Sequence, residues 1–188
     1  GTVSFVATLA FAPHIEIGIL SGLLLSLALL IYRSMRPRVA VLGRHPDGTW
    51  RDARRFGLPA AHPGLAILRF DGPLHFVNAA TFEDSVLAVE REHPQLKVLL
   101  ISSAGINDID ASGIDTLRRL HRQLAQGGRR LACCGLKKQV IDVLERTGLW
   151  AELGPHAAYR HEDDALPHLL PLLGAAPPAA PIRRGLEW

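Results

Sequence analysis

Asn107-Asp108-Ile109-Asp110-Ala111-Ser112-Gly113 is the stretch that decides how this chain folds. It follows the apolar run Val98-Leu99-Leu100-Ile101 and precedes Ile114, Leu117, Leu120 and Leu124, whose spacing places them on one helix face. A strand therefore feeds a polar turn, and the turn opens a helix. The Asp110 carboxylate and Ser112 hydroxyl are expected at the helix N-terminus, beside unsatisfied N–H groups and the positive end of the dipole. Such a position suits capping or reading a negative charge. In the capping reading Ser112 is the cap, and Asp115 three residues on returns a bond to it. In the switch reading, a phosphate on Ser112 adds about −1.5 to −2 of charge where the dipole accommodates it. Asp110 is placed to orient the hydroxyl or a partner's cation, and Gly113 to let the loop pack closely.

Outward from this turn, strand and helix patterns alternate. Residues 66–70 and 74–77 read as strands around Asp71-Gly72-Pro73. Asn78 is expected to cap a helix reaching Glu92, with Phe82, Val86 and Val89 inward and Pro94 stopping it. Residues 97–102 read as a strand, 112–126 as a helix ended by Gly127-Gly128, and 130–134 as a strand. A helix over 137–147 ends at Gly148; a short strand at 158–160 and a helix over 162–173 follow. This order predicts an α/β fold, a mixed β-sheet covered by helices, over residues 64–173. The tail 174–188, with Pro177-Pro178 and Pro181, reads as disordered.

Upstream the character changes. Hydrophobic residues make up 48% of the chain, and the excess lies in the first 32 positions. Ile17 to Tyr32 carries no charge, about 24 Å of helix, with Glu16 at its entry. Gly18, Gly22 and Ser26 form a small-residue stripe that lets neighbouring helices approach, so the segment reads as one of a bundle. Val3 to Ala12 reads as the end of another membrane segment, making residues 1–32 the end of a transmembrane domain. Arg33, Arg36, Arg38, Arg44, Arg51, Arg54 and Arg55 then face only Asp47 and Asp52, giving a basic linker over 33–63 with a short strand at 39–42. By the positive-inside rule, residues 33–188 are expected in the cytoplasm. The arginines are not interleaved with aromatics, which argues against a nucleic-acid surface. Because the sequence starts at Gly1 inside an apolar stretch, it reads as the C-terminal piece of a longer protein.

Chemistry-bearing clusters are sparse. Cys133 and Cys134 are adjacent on a strand and point to opposite faces, as small buried residues in a reducing compartment do. Nine histidines form no His-x-x-x-His or His-Glu-x-x-His pair, and the turn-like surroundings of His156, His161 and Asp163 do not suit a metal. Ser112 lacks nucleophile-elbow glycines. Neither catalysis nor a cofactor or metal is expected. Lys137 and Lys138 open a helix against its dipole, marking a solvated end or a face for an acidic partner or lipid headgroups. Lysine occurs only at 97, 137 and 138 and arginine supplies the other basic side chains, a composition of high-GC bacteria.

Asp110-Ala111-Ser112-Gly113 at a strand-to-helix junction resembles the signature loop of STAS domains, the fold of anti-sigma-factor antagonists. Leu65 to Asn78 resembles the opening hairpin of STAS domains from SulP (sulfate permease) transporters, and Leu131 to Val140 with Arg146-Thr147-Gly148-Leu149 resembles the end of that domain. Glu16-Ile17-Gly18-Ile19 and Arg36 to Gly43 resemble the last membrane helix and its exit in the same family. The resemblance implies the end of a secondary-active anion transporter for sulfate, bicarbonate or dicarboxylates, in the bacterial inner membrane. It implies a substrate site among helices upstream of Gly1, a homodimer through the membrane domain, contact with the bilayer and upstream helices, and a protein partner at the STAS domain. Asn107, Asp108, Asp110, Ser112 and Gly113 would form its regulatory or partner-binding loop, with Ser112 the phosphorylated serine. The short link Glu92-His93-Pro94-Gln95 lacks the long insert of eukaryotic members, which fits a bacterial protein. The alternative is a membrane-tethered signalling module of the anti-sigma-factor-antagonist type, switched at Ser112.

Overall fold

The computed structural model of the chain describes residues 1–10, 15–157 and 159–174, in two compact units that divide after Pro37. The first unit holds helices α1 (Thr2–Ala10) and α2 (Ile15–Met35). At 1.5 Å per residue the 21 residues of α2 reach about 32 Å, the thickness of a bilayer core. Its stretch Glu16–Met35 has a mean hydropathy of 1.8 and buries nothing within the protein, leaving Leu20, Leu23, Leu24 and Leu30 exposed. The helix runs past its uncharged part because Arg33 in the last turn suits the negative end of the dipole.

The second unit is built on a five-stranded sheet. Its strands are β1 (Arg38–Arg44), β2 (Trp50–Asp52), β3 (Leu65–Asp71), β4 (Val98–Ser102) and β5 (Arg130–Cys134), in the order β2-β1-β3-β4-β5. The sheet is mixed: β1 pairs antiparallel with β2 and β3, whereas β3, β4 and β5 run parallel. Parallel neighbours need crossovers, supplied by α4 (Phe76–Glu92) and α5 (Ala111–Gln126). The two-residue period of the strands then builds two cores. Ala66, Leu68, Phe70, Leu99, Ile101, Leu131 and Cys133 face α4, α5, α6 (Lys138–Arg146) and α7 (Leu149–Leu153). Leu65, Ile67, Val98, Leu100, Ala132 and Cys134 face α8 (Glu162–Leu169) and the 3-10 turn Leu170–Leu173. Phe70 and Phe82 are fully buried and meet edge to face at 5.1 Å.

The alternation of β and α elements is as the sequence implies, with five local differences. The stretch 33–63, read as a linker, carries β1, β2 and the short helix α3 (Ala53–Phe56). Val39 and Val41 point to one core and Ala40 and Leu42 to the other, so β1 completes the sheet. Three of the arginines there are ion-paired: Arg44 with Asp163, Arg51 with Asp47 and Arg54 with Glu92. Residues 74–77 are not a strand; Leu74 forms one bridge with Ile109, and the chain turns into α4 at Phe76. Asn78 is not the N-cap of α4: His75 holds that place, and the buried Asn78 side chain accepts from the His75 N–H at 3.0 Å. The last helix breaks into α8 and a 3-10 turn, with Pro167 inside the one and Pro171 in the other. Tyr159 makes a single bridge to Cys134 where a short strand was expected. The residues 175–188, read as a disordered tail, lie outside the described residues.

Candidate functional site

The loop between β4 and α5 and the loop between β3 and α4 are fastened together at the carboxyl ends of the parallel strands. Leu74 N–H donates to Asp108 O at 2.9 Å, and Asp110 N–H donates to Leu74 O at 3.2 Å. Asp110 links the side-chain layer as well. Its Oδ1 accepts from Gly113 N–H at 2.8 Å, and its Oδ2 accepts from Phe76 N–H at 2.9 Å. One carboxylate therefore caps α5 and holds the first residue of α4. Burial pushes this carboxyl upward, but the N–H donors of Gly113 and Phe76 outweigh it, and its pKa lies below the usual 3.8. Asp108 turns the other way: its Oδ1 accepts from Ile109 N–H at 2.9 Å, and its Oδ2 lies 3.2 Å from His75 Nε2.

Asp110, and not Ser112, is the N-cap of α5. Ser112 is exposed in the first turn, and its hydroxyl has no hydrogen-bond partner among the described residues. Asp115 returns no bond to a cap; it reaches Arg118 at 3.4 Å. The physical reason is reach. The extended backbone at Asp110 (φ −97°, ψ −178°) aims its carboxylate at the N–H three residues on, whereas Ser112 is already helical.

Gly113 is a point of contact. A Cβ there would lie 2.3 Å from Leu74 O and 2.8 Å from Ile109 Cγ1, so α5 starts against the backbone of the neighbouring loop. Asn107 sits at the far edge, where Lys137 Nζ donates to its Oδ1 and Gln139 Nε2 donates to its carbonyl oxygen at 2.9 Å. The five residues singled out from sequence thus run through the loop into the first turn of α5. Leu74, His75 and Phe76 of the adjoining loop belong with them but are hidden in sequence by a strand-like pattern. Phe76, whose N–H meets the Asp110 carboxylate, is 71% exposed at the start of α4.

The loop and the start of α4 present the Asp108 carboxylate, the Ser112 hydroxyl and the Phe76 ring at the surface. The two cysteines are buried on opposite faces, and burial pushes the Cys133 thiol up to about 12. Among the described residues no group of three or more His, Cys, Asp or Glu is placed to hold a metal ion.

Comparison with known proteins agrees with this architecture. The STAS domain family matches residues 59–165. Probable sulfate transporter 4.2 of Arabidopsis thaliana is 28% identical over 176 residues, covering 88% of this chain and 26% of the relative. Sulfate transporter 2.1 of the same plant is 32% identical over 154 residues, covering 74% and 23%. The chain thus spans about a quarter of the length of the transporters it matches. Among solved structures, the murine solute carrier 26 family member A9 anion transporter in its inward-facing state superposes with a TM-score of 0.74. It is 18% identical, covering 87% of this chain and 27% of that one. The SulP transporter STAS domain from Vibrio cholerae superposes with a TM-score of 0.51 at 22% identity, covering 65% and 94%. The chain belongs to the STAS domain family, with its relatives among the SulP-type sulfate transporters.

Proposed function

We propose that this chain is the C-terminal part of a secondary-active transporter for a small inorganic anion of the sulfate class, with bicarbonate and dicarboxylates as the other candidates. The carrying observation is the extent of the likeness. An alignment covering 88% of the chain reaches beyond the STAS domain into α2, so helix and domain are related to sulfate transporters together. In this reading α2 is the last membrane span, the unit from Arg38 onward is cytoplasmic, and the protein dimerises through its membrane domain. The STAS domain serves regulation, partner binding or assembly, with Asn107, Asp108, Asp110, Ser112 and Gly113 as its contact loop. The short link of five residues between Glu92 and Val98 supports a bacterial inner membrane as the location. Uptake of labelled sulfate by cells lacking their own sulfate uptake, expressing the full-length protein, tests the proposal. Saturable uptake competed by unlabelled sulfate supports it. A protein that reaches the membrane yet adds no uptake of sulfate, bicarbonate or succinate refutes it.

The second reading, a tethered signalling module switched at Ser112, draws on one observation, the exposed and unbonded hydroxyl. It is the weaker reading because the likeness to transporters includes the membrane helix.

A further inference from the structure

A second surface lies beside the loop. Where β4 and β5 end, a groove of about 610 Å³ opens between Ala104, Gly135 and the start of α6. Its walls are apolar and half-buried: Leu136, Ile141, Trp150 and Tyr159. Its rim is basic, formed by Lys137, Lys138, Arg160 and His161, with no carboxylate among the lining residues. Gly135 shapes the floor, since its φ of +71° turns the chain sharply and a Cβ would come within 3.1 Å of Ala104 N.

The acidic groups nearby are already engaged. Asp142 accepts from Lys138 Nζ, Glu162 from Ser102 Oγ, Asp164 from His161 N–H at 3.2 Å, and Glu152 from Arg118 and Arg122. Lys137 has only the neutral Asn107 as its partner, and Arg160 has no acidic partner among the described residues. Lys138 is thus paired with Asp142, whereas Lys137 and Arg160 stand at the rim of an apolar floor without an ion pair among the described residues. Shape selects further. Ala104, Lys137, Lys138 and Arg160 are all exposed, so the groove is too open to enclose the 70–90% of surface that a small-molecule site buries. It suits side chains projecting from a larger surface.

We propose that this groove docks an acidic segment of a partner protein, one apolar side chain resting between Trp150 and Tyr159 and carboxylates meeting Lys137 and Arg160. This deepens the reading of the domain as a partner-binding module and rests on that reading only for its connection to transport. The contact would also be felt in the loop. Lys137 and Gln139 hold Asn107, so a carboxylate drawing Lys137 away releases one of the two bonds that α6 and its start make to the near end of the loop leading to Asp110 and Ser112.

The test uses the full-length protein in nanodiscs of neutral lipid. The probe is a fluorescein-labelled amphipathic peptide of Glu, Leu and Phe, read by anisotropy. Two comparators replace its Glu by Lys or its Leu and Phe by Ala. The acidic apolar peptide is expected to bind, more weakly as salt rises, and both comparators to bind at least about tenfold more weakly. Arg160→Glu and Lys137→Glu are expected to weaken binding about tenfold or more without lowering the melting temperature. Absence of binding, equal binding of the Lys peptide, or indifference to Arg160→Glu would overturn the proposal. Displacement of the peptide by phosphatidylglycerol vesicles, with the Ala peptide binding equally well, would assign the face to lipid and overturn it too. Sulfate uptake separates the failures: uptake without peptide binding rejects the groove alone, and binding without uptake rejects the transporter reading alone.

Discussion

Gly113→Ala opposes two physical effects whose difference can be measured. Gly113 is the third residue of α5 and does not have a positive φ, so alanine fits its backbone. Helix propensity alone would then favour alanine by about 1 kcal/mol. The contacts argue the reverse. The new Cβ meets Leu74 O at 2.3 Å and Leu74 Cγ at 3.0 Å. That carbonyl is held by Asp110 N–H, and Leu74 N–H is held by Asp108 O, so the neighbouring backbone cannot yield without losing both bonds. Overpacking of this kind costs about 1–3 kcal/mol, and pushing α5 outward also lengthens the Asp110 to Gly113 cap, worth about 1 kcal/mol. The balance is a loss of about 2 kcal/mol. For a chain of this length that lowers Tm by about 4–8 °C. Thermal unfolding of the full-length protein, followed by tryptophan fluorescence at Trp50 and Trp150 in variants without other tryptophans, reads it. An unchanged or raised Tm would refute the close-contact argument.

Four further outcomes follow from the same geometry. Asp110→Ala should cost about 0.5–2 kcal/mol, seen as a lower Tm, because it removes the acceptor of two helix-starting N–H groups. Asp110 titrates below 3.8 when folded, so its contribution is complete above 3.8 and fades as the pH falls through the lower folded value; Asp110→Asn should flatten that part of the acid-unfolding curve. His156 is pushed below 6.5 by burial, then by Arg130 and His168, so the folded state holds it neutral. Stability should be complete above 6.5 and decline as the pH drops from there toward the folded value, and His156→Gln should reduce that decline in pH-dependent melts. Gln126→Cys, exposed at the end of α5, should resist a membrane-impermeant thiol reagent in intact cells and react after permeabilisation; labelling of intact cells would refute a cytoplasmic domain.

Much of this fold was legible because its signals are periodic. The strands at 65–71, 98–102 and 130–134 are apolar runs bounded by turns, and α5 shows its buried face as Ile114, Leu117, Leu120 and Leu124. Cys133 and Cys134 lie on opposite faces because strand geometry leaves no alternative. The misreadings arise where a distant partner decides. Val39 to Leu42 is short and flanked by arginines; it becomes a full strand because β3 lies beside it and Asp163, far along the chain, neutralises Arg44. Leu74 to Val77 looks like a strand, yet Asp110 takes the Phe76 N–H and starts a helix. The loop was located correctly, but the division of labour within it was not. Asp, Ser and Asn all make good caps, and only the backbone angle at Asp110 settles which one does.

That division of labour bears on Ser112. If its hydroxyl were the cap, replacing or modifying it would disturb the start of α5, and any effect on function would be tangled with an effect on stability. Because Asp110 and Gly113 carry the structure, Ser112 is free of it: exposed and in the first helical turn. A phosphate there would gain from the helix N-terminus and lose from the carboxylates of Asp110 and Asp115, two effects of comparable size and opposite sign. Its main consequence is a change of about −2 in the charge at the start of α5, where the Asp110 cap holds the backbone. Ser112→Ala and Ser112→Asp should both keep the Tm within about 2 °C of the unsubstituted protein, since surface substitutions away from structural contacts change stability by about 0.5 kcal/mol or less. With stability matched, the proposed sulfate uptake, compared between the two variants, reads the added charge without a change in fold. A loss of several degrees in either would show that Ser112 supports the fold after all.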